Sequence, residues 1–402
     1  MYISTKPKAV VLGMTSKMPF AGIVFLVAQY LVGLKRLGFD VYYVEAHGQT
    51  PWMLMNDEHA DGAALASAFI AGMMKRFDLG DDHWAFEALH DDGRCYGLSQ
   101  EALRRLYQDA AIIFNLHGGT VPRSEHCETG RLVYIGTDPV EHEVALYHGD
   151  QGMVDYLSAH CAFFTWGANY GNADCRVPVS PDFTFIPTRQ PIVMDFWEPF
   201  ADGPADTFTT VGNWRQLRRP VELDGELYHW SKHLEFAKFI DLPRRCAQRF
   251  ELALVNVNDE DRQLLDSNGW TVRDSAGFTT DVDAYRHYIE RSRGEFTVAK
   301  DQNVRLRSGW FSDRSACYLA CGRPVVTQET GFSNILPTGE GLFGFSTIDE
   351  IEDAIARINA DYQRHRDAAA AIAREWFDYR VVLGDMLDHL DCRPVPLAME
   401  TR

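Results

Sequence analysis

Two patterns alternate along the chain. Short runs of β-branched and apolar residues stop at glycine or proline, and longer stretches carry apolar residues at helical spacing. The run KAVVLGM from Lys8 predicts a strand that ends at Gly13 and Met14, followed by the loop TSKMPFAG. After Gly22, IVFLVAQYLVGLKRLG has apolar residues at Ile23, Phe25, Leu26, Ala28, Tyr30, Leu31 and Leu34. That spacing predicts a mostly buried helix, with Gly38 closing it. FDVYYVEA reads as the next strand, and strand, helix, strand in this order implies a parallel sheet.

The alternation continues. Residues 57–77 and 99–109 predict helices, and AAIIFNLHGG, RLVYIGTDP and HCAFFTWGANYG predict strands that break at glycine or proline. Residues 174–205 hold six prolines and little periodicity, which suggests a linker. A second series then begins: FTTVGNW, FELALV, EFTVA and RPVVTQ as strands, SKHLEFAKFIDLP, DVDAYRHYIERSR and SDRSACYLACG as helices. Thr347 and Glu350 have capping-box spacing ahead of one or two long helices. The expected architecture is α/β: two doubly wound units, 1–200 and 205–375, followed by a helical segment, 376–392.

At 402 residues the chain exceeds the roughly 100–200 residues of one ordinary domain. With 46% hydrophobic and 24% charged residues the composition is globular. Lys plus Arg number 39 against 57 Asp plus Glu, a net charge of −18, which argues against a nucleic-acid backbone or an anionic membrane as partner. An anionic ligand would need a local cluster of positive groups. No apolar stretch reaches the ~20 residues of a membrane span, and no signal peptide is evident. The eight cysteines form no C-x-x-C pair, and Cys317 and Cys321 read as small buried helix residues. A reducing cytoplasm is the expected compartment.

In open parallel sheets, ligands bind beyond the carboxyl ends of the strands. Three loops of the second half lie there. One holds Gly212 and Asn213, with Ser231 and Lys232 at a following helix start. The next holds Lys300, Asp301, Gln302, Asn303, Arg305 and Arg307. The last is the helix start Ser312, Asp313, Arg314 and Ser315, with Ser312 as N-cap. Free N–H groups and a positive dipole at a helix start suit an anion, and Arg and Lys suit a diphosphate. Each loop taken singly could equally be solvated charge; three on one sheet edge favour a site.

The segment SDRSACYLACGRPVVTQETGF resembles the donor-binding segment of GT-B glycosyltransferases, through Ala320, Gly322, Pro324, Val325 and Val326, then Glu329, Thr330 and Gly331. The opening strand, glycine loop and helix also resemble this fold family, and residues 208–345 resemble its bacterial members of undefined acceptor. The resemblance implies two Rossmann-like domains facing a cleft, with the last helix crossing back to the first. It further implies transfer of a hexosyl or deoxyhexosyl group from a nucleotide-diphosphate sugar, as co-substrate, to a small-molecule or glycan acceptor, with no cofactor and no metal. Two departures stand out. Cys317 occupies the position of a Glu that holds the ribose in the retaining pattern, and Gly309 and Trp310 replace a His-Gly-Gly.

For the donor, the expected residues are Gly22, Gly212, Asn213, Lys232, Lys300, Ser312, Asp313, Arg314 and Ser315, with Glu329, Thr330 and Gly331 on the sugar. For removal of the acceptor proton they are Asp138 and His117, each at the end of a first-half strand. Structural roles compete for both: a hydrogen-bonded strand-end His and a turn Asp before Pro139. Phe20, Trp166 and Tyr170 could stack on a sugar or line the core. The rival functions are a nucleotide-sugar epimerase or hydrolase on the same fold, and a non-catalytic nucleotide-sugar-binding protein. GMTSKMPFAG lacks the G-x-G-x-x-G spacing of a dinucleotide site.

Overall fold

In the computed structural model, residues 6–197 and 206–394 are described. Eight strands form the first sheet: β1 (Lys8–Leu12), β2 (Asp40–Glu45), β3 (Trp84–Glu87), β4 (Cys95–Gly97), β5 (Ala110–Leu116), β6 (Leu132–Gly136), β7 (Ala162–Thr165) and β8 (Phe185–Pro187). Their order is β4-β3-β2-β1-β5-β6-β7-β8, parallel throughout except for β4 against β3. After β9 (Thr207–Asn213) comes a small antiparallel hairpin, β10 (Val221–Leu223) and β11 (Glu226–Tyr228). The second sheet is completed by β12 (Arg249–Val255), β13 (Thr271–Asp274), β14 (Gly294–Thr297), β15 (Val325–Gln328) and β16 (Leu342–Phe345). It runs β13-β12-β9-β14-β15-β16, all parallel. In both sheets the strand order reverses beside the first strand, which opens a crevice at the carboxyl edge.

The first helix, Ala21–Arg36, buries most of its residues because it is covered on two sides. Val24, Val27, Leu31 and Leu34 join the first sheet's core, and that core also takes in Val382, Leu383, Met386 and Leu387 of the last helix, Tyr379–His389. Gly33 permits this crossing: a Cβ there would lie 2.6 Å from Leu383 Cδ1. The other side of the first helix meets the second half, where Ala21 and Phe25 share a cluster with Tyr285 and Ile289. The chain's last helix therefore adds to the core built by its first strands.

Several expectations need correction. Part of the proline-rich stretch is edge strand β8, and Trp197 beyond it is fully buried, with its Nε1 donating to Gln29 Oε1 at 3.1 Å. The expected junction at 200–205 lies outside the described residues. The single helix expected from Ser231 divides into His233–Ala237 and Leu242–Arg245. The capping box forms as expected, Thr347 N donating to Glu350 Oε2 at 3.0 Å, and two helices follow.

Candidate functional site

A cleft of about 840 Å³ opens between the carboxyl edges of the two sheets. The first half lines it with Met14, Lys17 and Met18 after β1, His117 to Gly119 after β5, Gly136 to Asp138 and Glu141 after β6, and Trp166 after β7. The second half supplies Asn213 and residues 215–219 after β9, then Trp230, Lys300, Trp310 and Asp313. Contacts between the halves fix the cleft beside these residues. Gly309 has φ +80°, and a Cβ on it would lie 2.1 Å from the Asn169 nitrogen, so only glycine lets the two backbones meet there. Beside it, Trp310 Nε1 donates to the Thr137 carbonyl at 3.1 Å, and Asn169 Nδ2 donates to the Arg307 carbonyl at 2.9 Å.

On the second half, positive charge sits in a dry environment. Lys232 is buried, with 7% of its surface exposed. Among the described residues, no hydrogen-bond or ion-pair partner reaches its ammonium; its nearest recorded feature is the Trp310 ring, 5.7 Å away. Burial pushes its pKa well below the usual lysine range, and the neighbouring Arg314 pushes it further. Lys300 lies 3.1 Å from the centre of the Trp230 ring and pairs with Asp138 Oδ1 at 2.9 Å. Burial lowers its pKa too, against the opposing pull of Asp138. Charge held this deep is costly, which is what depresses the lysine's pKa, and an anion at its amine would favour the protonated form.

On the first half, neutral histidines sit beside Lys17, Asp138 and Glu141. His117 Nδ1 is 2.9 Å from Thr137 Oγ1, while its Nε2 is buried and without a partner among the described residues. Burial lowers its pKa to about 4, outweighing the attraction of Asp138, so the imidazole is neutral at physiological pH. Its backbone takes a left-handed φ of +64°, uncommon outside glycine. Asp138 is the partly exposed carboxylate beside it. Among the described residues, no three His, Cys, Asp or Glu side chains gather as a metal-binding group.

The described fold can be set beside solved structures. Anabaena HepE in complex with UDP and glucose matches with a TM-score of 0.53 at 12% identity, over 96% of this chain and 99% of that one. The sucrose-phosphate synthase of Thermosynechococcus elongatus matches at 0.51 and 13%, over 96% and 99%. AviGT4, a glycosyltransferase involved in avilamycin A biosynthesis, matches at 0.53 and 14%, over 96% and 97%. The chain has the GT-B glycosyltransferase fold. No protein-family model matches the sequence, and no curated protein matches it.

The GT-B cleft brings together five of the expected residues: His117, Asp138, Asn213, Lys300 and Asp313. Lys232 lies just behind them, through its Trp310 contact. Others are committed elsewhere. Arg314 is buried and spends its guanidinium inside the second half: Nε on Glu295 Oε1 at 2.5 Å, Nη1 on the Val211 carbonyl at 2.5 Å and Nη2 on Thr297 Oγ1 at 3.1 Å. It ties helix Asp313–Ala320 to the sheet, with all three guanidinium nitrogens engaged there. Glu329 accepts the Gly331 N–H at 2.5 Å, and Thr330 Oγ1 donates to the Trp310 carbonyl at 2.8 Å. These residues and Gly331, at φ +95°, shape a turn and do not line the cleft. Gly22 faces the Tyr285 hydroxyl, Gly212 lies behind Asn213, Ser312 makes no side-chain cap, and Ser315 is buried. Lys17, Arg218, Arg219 and the two tryptophans at 230 and 310 were not anticipated. Three arginines within 215–219 of an acidic chain were the available signal.

Proposed function

We propose that this protein transfers a hexosyl or deoxyhexosyl group from a nucleoside-diphosphate sugar to a small-molecule or glycan acceptor, with side chains in place of a metal ion. The observation that carries this reading is Lys232, a buried ammonium with no partner among the described residues, beside Lys300 at the carboxyl edge of a GT-B second sheet. As the bond from the sugar C1 to the diphosphate oxygen breaks, negative charge grows on the leaving phosphate. Two lysines held in a low-dielectric cleft stabilise that charge without reorganising. Asn213 adds a polar contact, and Asp313, the second-half carboxylate that lines the cleft, takes the role on sugar hydroxyls that the sequence suggested for Glu329.

Asp138 removes the acceptor hydroxyl proton as the acceptor oxygen bonds to C1. In the ligand-free chain it is paired with Lys300. A donor phosphate competes for that lysine, so donor binding frees the carboxylate for the next step. His117, neutral and with an unpartnered Nε2, orients the acceptor hydroxyl. The eight cysteines are free, and among the described residues no helix is long and apolar enough to cross a membrane; both features fit the reducing cytoplasm we assign.

HepE is solved with UDP-glucose, so UDP is the first nucleotide to test. A thermal-shift screen against UDP, GDP, dTDP, CMP, ADP and NAD checks the donor class. Ligand at 100 times its Kd adds about 2.7 kcal/mol of stability. A rise in Tm with a nucleoside diphosphate is expected; a rise with NAD alone, or with none, contradicts the proposal.

A further inference from the structure

The lining of the cleft holds a second group of cations that the donor does not use. The charges acting most strongly on Lys232 are Arg314, Glu295 and Lys300, whereas Arg219 acts on Lys17 and also on Lys300, with which it shares the Trp230 ring. Lys17 belongs to the first half and Arg219 to the second, so two like charges from opposite walls approach each other in the cleft. Among the described residues, neither Lys17 nor Arg218, which lines the same cleft from the second half, has an ion-pair partner.

Both sides of this group are held in place. The Lys17 loop is anchored by Glu45, fully buried at the end of β2. Its carboxylate accepts Thr15 Oγ1 at 2.7 Å, Ser16 N at 2.9 Å and Tyr43 Oη at 2.6 Å, plus the Ser16 hydroxyl, and lies 3.0 Å from His47 Nε2. Burial opposes ionisation of Glu45, yet these hydrogen bonds hold its pKa below the usual value. Five contacts on one buried carboxylate fix a loop far more firmly than a surface turn requires, and this loop presents Lys17 to the cleft between Met14 and Met18. Across from it, Arg219 adopts φ +69°, a strained backbone that a non-glycine residue keeps only when its surroundings impose it. Arg219 lies 5.2 Å from the centre of the Trp230 ring and pairs with Glu141 of the first half at 3.3 Å. The other titratable neighbour, His142, is uncharged near neutrality because burial, then Arg219, lowers its pKa to about 4.

Resting on the glycosyltransferase reading, we infer that the acceptor carries an anionic group, phosphate or carboxylate, received by Lys17, Arg218 and Arg219 beside the donor site. The anion neutralises the like charges that face each other across the cleft, and so orients the acceptor hydroxyl toward Asp138. Discrimination against neutral sugars follows, because a neutral ligand leaves Lys17 and Arg218 unpaired.

The test is calorimetric titration of UDP-saturated protein with glucose 6-phosphate, glucuronate and glucose. The phosphate or the carboxylate sugar is expected to bind at least about tenfold more tightly than glucose, the scale of one charge-assisted hydrogen bond. Lys17→Gln and Arg218→Gln, each at an accessible position, should each weaken the anionic sugar about tenfold while UDP still binds. The relative strength of the two anionic sugars distinguishes phosphate from carboxylate. Glucose binding as tightly as both, neither anionic sugar binding, or glucose 6-phosphate displacing UDP would each overturn the inference. If UDP fails to bind but glucose 6-phosphate binds in a Lys17-dependent way, the donor reading fails and the anionic subsite stands.

Discussion

The carboxyl edge of the first sheet sets neutral buried histidines beside Lys17, Asp138 and Glu141, whereas that of the second concentrates the buried lysines 232 and 300. In the first half, His117, His126, His142 and His160 are all lowered to about 4, burial being the largest cause in each. They are held in local networks, such as Asn115 Nδ2 on His160 Nε2 at 3.1 Å and Tyr134 Oη with His142 Nδ1 at 2.5 Å. In the second half, the Arg314–Glu295 pair, Lys232 and Lys300 bring charge to the equivalent edge. One chain topology thus supports two electrostatic solutions. The first edge leaves His117 Nε2 without a partner among the described residues and can accept varied hydroxyls. A charged edge with an unpaired lysine is satisfied only when its anion arrives, which is why we assign it the donor.

Acidification should separate the two halves most strongly. Each of the four histidines has a folded pKa near 4, against about 6.5 in the unfolded chain. Between those values the unfolded state takes up protons that the folded state refuses. Stability is therefore complete above pH 6.5 and is lost as the pH falls toward 4, by up to ~1.4 kcal/mol per pH unit for each histidine. Hydrogen exchange at pH 7 and pH 5 should show first-sheet amides losing protection first; earlier loss in the second sheet would break the comparison.

Next in size is the buried ion pair. Arg314→Leu removes the partner of the buried Glu295 carboxylate and should destabilise the protein by about 3–5 kcal/mol in urea melts. The double variant with Glu295→Leu should recover part of that loss, whereas a phosphate-binding role for Arg314 would show as lost UDP affinity with unchanged stability. Smaller still is Asp138→Asn. The Asp138 side chain is 38% exposed, so its pair with Lys300 is screened, and releasing the lysine should tighten UDP binding by only about two- to fivefold. Turnover should fall nonetheless, and weaker UDP binding in this variant would rule out the competition between carboxylate and phosphate.

Much of the architecture could be read from the chain because β1, β2, β5, β9 and β12 are β-branched runs bounded by glycine, proline or polar residues. What escaped were short strands such as β13, three of whose four residues TVRD are polar and which takes its pairing from β12 alone. The hairpin β10–β11 was missed despite a clear signal: Asp224 and Gly225 both take positive φ, as a two-residue Asp-Gly turn requires. At the site, strand ends located Asp138, His117, Asn213 and Lys300, since a parallel sheet places all such residues on one edge. Arg314 misled because its position at a helix start says nothing of Glu295, an unsuspected buried acid on the preceding strand β14. Lys17 and Arg219 could not be joined from sequence; nothing in their spacing shows that loops from opposite halves converge.

The claim that matters most is that Lys232 awaits an anion, and titration calorimetry of UDP into wild type and Lys232→Met tests it directly. The wild type should bind UDP, most tightly at low pH, with affinity falling once the pH rises through the depressed pKa of Lys232 because the protonated amine is the form that binds. Lys232→Met should bind at least about thirtyfold more weakly, the scale of about 2 kcal/mol for a hydrogen bond to a charged group, and should melt no lower than wild type without ligand. Equal UDP affinity in the two proteins, or a marked loss of stability in ligand-free Lys232→Met, would contradict the account.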